Sequence, residues 1–389
     1  MVSLTATDTA TDTAIDRTPG GDLAGRMSAF ALDRIAPRAT LSHADDFPFD
    51  LWTAMGAAGL LAPNLPAAHG GEGATYTDLL RAGYELVRRG RCLGLAVCWQ
   101  AHVLKARILF HDCATDDQRA RWLPGFVSGE SRAALAISEP GVGAHPKKLA
   151  TEAVRDGESY VINGEKAYLT NGPIADLYTV FAITGRDGDR KRFSAFLVPR
   201  DTPGVTLLES GALDYLKPSL HCGLRLEDCR VPATAMIGPE GGAFETLSRP
   251  FRELEDTLMM GPLLGGLELL LAGVAARVRP MDEPARETVG GLVALGAALR
   301  ATAERAAAEL DAGRMAEAAF PAYALVFRNL ARQFLETVAA LRAETGLEGD
   351  RFLDTLARDL IKSIDIARYA QRLKQQKLSD LAVEEDVTA

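Results

Sequence analysis

The chain has 389 residues, 47% of them hydrophobic and 24% charged, with a formal net charge of −9. That length supports two or three domains around a large core, and the acidic balance excludes a dominant nucleic-acid surface. The five cysteines (Cys92, Cys98, Cys113, Cys222, Cys229) are scattered and lack metal-ligand spacing. They read as reduced thiols in a cytoplasmic protein with no metal site.

Residues 1–20 are rich in Thr, Ala, Asp and Gly and are expected to be disordered. They contain no basic start followed by an apolar run, so no secretory signal is read there. From Asp22 to Glu130 the pattern is helical. Phe49, Leu51, Trp52 and Met55 recur at helical spacing, and Asn64-Leu65-Pro66 with His69-Gly70-Gly71-Glu72-Gly73 breaks the pattern into a loop. Thr75 to Arg89 predicts a helix with Leu79, Leu80, Tyr84, Leu86 and Val87 on its apolar side. Thr115-Asp116-Asp117-Gln118 has the form of a capping box.

The period then changes. Tyr160-Val161-Ile162 runs into Asn163-Gly164, which predicts a two-residue hairpin turn. Leu177–Thr184, Phe193–Val198, Val205–Leu208 and Cys222–Val231 are strand-like. After Gly241-Gly242 the pattern is helical again, with Ala297–Leu310 and Pro321–Leu341 as long Ala- and Leu-rich helices and Asp350–Leu381 as one continuous amphipathic helix. Thr257 to Ala276 is long and apolar enough to span a bilayer. Its Pro262, its glycines and the helices that follow favour a buried bundle helix, with no membrane. The order helices, strands, helices predicts an α+β fold of segregated layers, divided as 21–132, 133–240 and 241–389.

Two segments carry most of the chemical signal. Ala136-Ile137-Ser138-Glu139-Pro140-Gly141-Val142-Gly143 and Tyr168-Leu169-Thr170-Asn171-Gly172 place small and hydroxyl residues at the mouths of strands. Such positions bring backbone N–H groups and hydroxyls close to a flat polar ring. Around them stand Phe49 through Gly73, Arg121-Trp122-Leu123-Pro124, Ser128-Gly129-Glu130, Asn163-Gly164-Glu165-Lys166, Asp228-Cys229-Arg230-Val231-Pro232 and Gly241-Gly242-Ala243-Phe244. Taken in order over residues 45–275, these motifs resemble the acyl-CoA dehydrogenase family.

The resemblance implies an N-terminal helical domain, a central β-barrel or sandwich domain and a C-terminal four-helix bundle. It implies FAD as cofactor, with Ile137 and Ser138 against the isoalloxazine ring, Thr170 near the flavin N5, and Tyr168 flanking the ring where the family usually has Trp. Fixed donors aimed at a ring that gains negative charge raise its electron affinity. It further implies α,β-dehydrogenation of an acyl thioester on CoA or on a carrier protein. An electron-transferring flavoprotein would take the electrons, and the chain would assemble as a homodimer, a tetramer or a hetero-oligomer with a related chain.

That chemistry needs a carboxylate of raised pKa to take the α-proton while hydride passes to flavin N5. Most of the family carries it in a late Tyr-Glu-Gly-Thr-like loop, which this chain lacks. Enzymes like isovaleryl-CoA dehydrogenase carry it on the first helix after the β domain, in Leu-Glu-Arg-Leu followed by a Gly-Pro-Leu-Gly run. Here Leu254-Glu255-Asp256-Thr257 and Gly261-Pro262-Leu263-Leu264-Gly265 put Glu255 at that position. Asp256 replaces the family's Arg, and a second carboxylate there raises the pKa of one of the two or disturbs the site.

Three departures stand against the pattern. The family's thioester-contacting Gly-Ser-Asp is Gly143-Ala144-His145, followed by Lys147 and Lys148, which are placed to meet a phosphate or to lie solvated. The Arg-x-x-Phe-Gly signature for the FAD pyrophosphate is missing near Arg277 and Arg279. The late glycine loop is reduced to Gly346-Leu347-Glu348-Gly349, with Arg358-Asp359 after it. The ring side is therefore kept and the adenine side eroded. A non-catalytic or half-site subunit of a heteromeric dehydrogenase, and a flavin monooxygenase on the same fold, stand as alternatives.

Overall fold

The computed structural model describes residues 21–209, 214–278, 280–313, 319–347, 349–365, 371–372, 374–376 and 378–380. The expected disorder of residues 1–20 lies outside them. The N-terminal helices are α1 (Leu23–Phe30), α2 (Phe49–Ala57), α3 (Tyr76–Gly90), α4 (Leu93–Lys105) and α5 (Asp116–Ser128). Both α3 and α5 start at reciprocal capping boxes. Thr115 N–H donates to Gln118 Oε1 at 3.1 Å while Gln118 N–H donates to Thr115 Oγ1 at 3.2 Å. Thr75 and Asp78 do the same at 2.9 and 3.1 Å. Helix α4 is buried nearly all round and continues into a widened turn at Ala106–Cys113. Its Trp99 donates to the Leu60 carbonyl at 2.6 Å, and His102 stacks on Phe126 with ring centroids 4.8 Å apart. Burial pushes His102 down to about 3, so it is a neutral core residue.

The middle layer contains β1 (Ala133–Ala136), β2 (Glu152–Asp156), β3 (Ser159–Thr170), β4 (Leu177–Asp187), β5 (Arg190–Pro199), β6 (Val205–Leu208), β7 (His221–Pro232) and β8 (Met236–Ile237). They form one sheet in the order β6-β7-β3-β2-β4-β5-β8, with β1 paired parallel to β4. Strand β4 is buried on both faces. Leu177, Phe181 and Ile183 enter the core shared with the helices, and Tyr178, Val180 and Ala182 enter a second core inside the sheet region. This double burial is why its sequence is continuously apolar.

Asn163-Gly164 is not the hairpin turn. Strands β2 and β3 pair from Asp156↔Ser159 to Glu152↔Asn163, so the reversal falls at Gly157-Glu158, where Gly157 has φ +60. Strand β3 runs straight through Asn163-Gly164 with a bulge against β7. Asn163 instead binds across strands, accepting from the Asp228 N–H at 2.7 Å. A side chain at Gly164 would collide with Thr151, so glycine serves close approach there.

The C-terminal layer consists of α6 (Arg249–Leu258), α7 (Met260–Arg277), α8 (Glu283–Asp311), α9 (Ala319–Glu344) and α10 (Arg351–Asp365). The apolar stretch is α7 and is buried among the other helices. Two helical stretches, Leu93–Cys113 and Phe244–Arg277, are long and apolar enough to cross a membrane, and their apolar windows are 89% and 72% buried within the protein. Glu268 interrupts α7 because it accepts from the Tyr84 hydroxyl at 2.6 Å and from Arg300 at 2.8 Å. An added Cβ at Gly261 would sit 2.1 Å from the Leu80 carbonyl, so the Gly-Pro-Leu-Leu-Gly run lets α7 press against α3. The expected Asp350–Leu381 helix is helical over α10 and again within residues 371–380; residues 366–370 between them lie outside the described set.

Candidate active site

Helix α4 ties the candidate site together. Near its middle, Gln100 Nε2 donates to the Glu255 backbone carbonyl of α6 at 2.8 Å. At its end, the Lys105 ammonium donates to the Ala133 carbonyl of β1, the strand that leads into Ile137 and Ser138. One buried helix thus fixes both the strand end and the helix carrying Glu255.

The two ring-side segments, far apart in sequence, meet in space. Ala167 N–H donates to the Ser138 carbonyl at 2.8 Å, and Lys166 Nζ reaches the Ile137 carbonyl at 3.2 Å. Tyr168 lies at an irregularity of β3 with φ +61 and is 60% exposed. A left-handed backbone at a non-glycine residue costs about 1–2 kcal/mol, and such strain gathers at functional sites. Asn171 also has a positive φ of +63, and its buried Oδ1 has no partner among the described residues. Between them, Thr170 Oγ1 lies 3.1 Å from His221 Nε2. Burial pushes His221 down, with the Ser219 backbone pulling the other way, which leaves a neutral ring beside the Thr170 hydroxyl.

A buried ion pair holds this geometry. Glu139 accepts from Ala150 N–H at 2.7 Å, Thr151 N–H at 2.9 Å, Thr151 Oγ1 at 2.6 Å and Lys166 Nζ at 2.9 Å. Burial acts to raise the Glu139 carboxyl, but these hydrogen bonds and the lysine charge together hold it below the usual carboxylate range. Lys166 is fully buried and burial pushes it down to about 8 despite the pair. The Glu of Ser-Glu-Pro-Gly and the Lys of Asn-Gly-Glu-Lys are therefore a clamp between β1 and β3. Opposite charges inside two strand-like runs were the available signal for it.

Gly143, Ala144 and His145 are half-buried in the loop after that clamp. Gly143 has φ +60 and closes the turn with Glu139, each N–H donating to the other's carbonyl at 3.1 and 3.0 Å. Lys147 and Lys148 are exposed, and Lys191 Nζ bonds the Lys147 and Leu149 carbonyls at 3.0 and 2.7 Å.

Glu255 lies in α6 between buried Leu254 and buried Thr257 and Leu258. Glu255 itself is exposed to solvent. Nevertheless the surrounding protein pushes its carboxyl up to about 7, chiefly by desolvation and then by the Asp256 charge; Arg252, Lys105 and Arg328 pull the other way. Lys105 shows the reciprocal effect: burial pushes it down to about 8, with the charge of Glu255 opposing. Asp256 instead binds Arg328 at 3.1 Å and Lys374. Glu253 pairs with Arg249 at 3.0 Å on the exposed side. Gln100, Lys105, His221, Arg328 and Lys374 were not singled out from sequence; apart from His102, the buried polar groups of α4 sit in an apolar run that reads only as core.

The flavin fit divides in two. Solvent-reachable Ser138 and Thr170, exposed Tyr168 and the Asn171 Oδ1, which lacks a partner among the described residues, suit a polar ring edge. On the adenine side, Arg277 is committed within the chain, donating to Asp350 at 2.6 Å and to the Gly273 carbonyl at 2.9 Å. Arg279 and Glu348 lie outside the described residues. Arg358 pairs with its neighbour Asp359 at 3.0 Å.

Comparison with known proteins gives the class. The acyl-CoA dehydrogenase N-terminal domain matches residues 22–130 and the acyl-CoA dehydrogenase middle domain residues 134–229. The chain is 33% identical over 216 residues to an acyl-CoA dehydrogenase of Bacillus subtilis (strain 168), covering 55% of this chain and 56% of the relative. It thus matches about half the length of that relative. Butyryl-CoA dehydrogenase from Megasphaera elsdenii superposes with a TM-score of 0.84 at 20% identity, covering 98% of this chain and 100% of the other. A glutaryl-CoA dehydrogenase from Mycobacterium smegmatis in complex with FADH2 gives a TM-score of 0.80 at 21% identity, covering 93% of each chain. The chain belongs to the acyl-CoA dehydrogenase family. The fold match extends through the C-terminal helices, where the sequence motifs fade.

Proposed function

We propose that the protein is an FAD-dependent dehydrogenase that desaturates the α,β bond of an acyl thioester, with Glu255 as the base. The observation that carries this reading is the joint anchoring by α4 of Glu255 and of the strand leading to Ser138. The same α4 that anchors the strand leading to Ser138 also anchors the helix whose Glu255 carboxylate has a raised proton affinity. Glu255, ionised near neutrality, takes the α-proton: the C–H bond breaks and a carboxyl O–H forms. FAD, when bound, supplies the acceptor for the β-hydride. Ser138 and Thr170 hold the ring edge, His221 takes the free side of the Thr170 hydroxyl, and Tyr168 flanks the ring. Gly143, Ala144 and His145 border the thioester, and Lys147 and Lys148 stand where a phosphate of CoA or of a carrier-protein arm would pass. Reduced thiols and the acidic surface suit a cytoplasmic enzyme, assembled as a homo-oligomer and discharged by an electron-transferring flavoprotein.

The Arg277–Asp350 pair favours one alternative, a half-site subunit that completes its FAD site only beside a related chain. The visible spectrum of the purified protein separates the two. A flavin spectrum that bleaches with acyl-CoA supports the dehydrogenase. A colourless protein that gains flavin only with a partner chain establishes the subunit reading.

A further inference from the structure

The strongest departure from the family motif beside the base is Asp256, and the structure gives it two cationic partners. Its Oδ1 accepts from Arg328 of α9 at 3.1 Å and its Oδ2 from Lys374 of the C-terminal segment. All three side chains are largely buried. Arg328 also donates to the Ser363 and Ile364 carbonyls at the end of α10, at 3.3 and 2.8 Å. Gln371 Nε2 reaches the same Ile364 carbonyl at 3.1 Å. One carboxylate thus joins the base helix, α9, the end of α10 and the tail segment.

We propose that Asp256, Arg328 and Lys374 are positioning residues that set the proton affinity of Glu255, so that the C-terminal segment tunes the active-site base through Lys374. This rests on the reading of Glu255 as the base. The reasoning is electrostatic. Asp256 is the neighbouring residue to Glu255, and a lone anion there would hold the proton on Glu255 too tightly for a base near neutral pH. Arg328 and Lys374 pair with that anion and offset its charge. Among the described residues, the other charges acting on Glu255 are Arg252 on its own helix and Lys105 on α4, both favouring ionisation; His102 on α4 is neutral. The usual cation after the base is therefore replaced by an anion carrying two cations from distant parts of the chain.

The test is the titration of the Glu255 carboxyl in the full-length protein, followed by carbon NMR and assigned by its loss in Glu255→Gln. Asp256→Asn removes the near anion and lowers the midpoint. Lys374→Met exposes that anion and raises it, each by about 0.5–1 in pH. The double variant returns close to the wild-type midpoint, because its two charge changes oppose. The acid limb of flavin reduction by acyl thioester moves in the same directions. A structural role alone changes the height of that profile and leaves its midpoint in place. Unchanged midpoints, or midpoints that move the same way in both single variants, overturn the proposal. Activity retained by Glu255→Gln removes the base assignment instead, which separates the two failures.

Discussion

Glu139→Gln is the sharpest test of how the ring-side geometry is held. The substitution keeps the shape and removes the charge on which four donors converge at 2.6–2.9 Å. A carboxamide has one acceptor oxygen and one NH2, so at least one donor, at best the part-buried Ala150 N–H, faces another donor. An unmet buried donor costs about 1–3 kcal/mol. Lys166 loses its counter-ion as well. It already sits at about 8 with the pair in place. Without the pair it gives up its proton near pH 7, so its added cost is capped at about 1.4 kcal/mol for a tenfold fall in its proton affinity. The two contributions come to roughly 2–4 kcal/mol, around the low end of the cost of breaking a buried pair. The assay is urea unfolding at constant m-value.

The sign with pH is fixed. The folded pKa of Lys166 is depressed, so the unfolded chain binds more protons between the folded and ordinary values, and stability rises with pH across that window. The window starts at about 8 in the wild type and lower in the variant. The deficit of Glu139→Gln should therefore shrink by about 1 kcal/mol between about pH 7 and about pH 9. A deficit under about 1 kcal/mol, or one that stays constant across this range, refutes the clamp as argued.

Other outcomes follow from the same physics. Gly94→Ala would place a Cβ 2.0 Å from the Leu216 carbonyl and 2.3 Å from the Lys217 carbonyl; a loss of about 3 kcal/mol in urea unfolding is expected, and a neutral result contradicts this packing. Glu268→Ala strips partners from Tyr84 and Arg300 and should cost about 2 kcal/mol by the same measure. The folded Glu255 carboxyl is raised, so its stabilising contribution is full below the ordinary carboxylate range and is lost as pH rises through about 7. Glu255→Gln should thus raise Tm relative to wild type near pH 8 and leave it unchanged near pH 4; an equal Tm difference at both pH values is the contrary outcome.

The fold was readable because its signals are periodic or local. Capping residues Thr115 and Gln118, the strand runs of β4 and β5 and the buried apolar α7 all behave as their patterns predict. Asn163-Gly164 misled because a dipeptide suited to a tight turn also suits a bulge. Only cross-strand partners, here Asp228 and Thr151, decide between them. At the site, the segment of Ile137 and Ser138 lies beside the strand that carries Tyr168 and Thr170, bonded to it through Ala167 and Lys166. The groups around the base were hidden for a different reason. Lys105 lies in an otherwise apolar helix, and Arg328 and Lys374 are 72 and 118 residues from Asp256. No local pattern links charges across such separations; the tertiary packing of α4, α6 and α9 does.

The central claim is that Glu255 removes the α-proton of an acyl thioester. Its most direct measurement is anaerobic titration of the flavin-loaded protein with a series of acyl thioesters, for the wild type and for Glu255→Gln. Bleaching of the flavin in the wild type, lost by at least about 10²-fold in rate in the variant while FAD stays bound, is the predicted result. Equal bleaching in both proteins would contradict the assignment, and a flavin-loaded wild type that no acyl thioester bleaches would contradict the function.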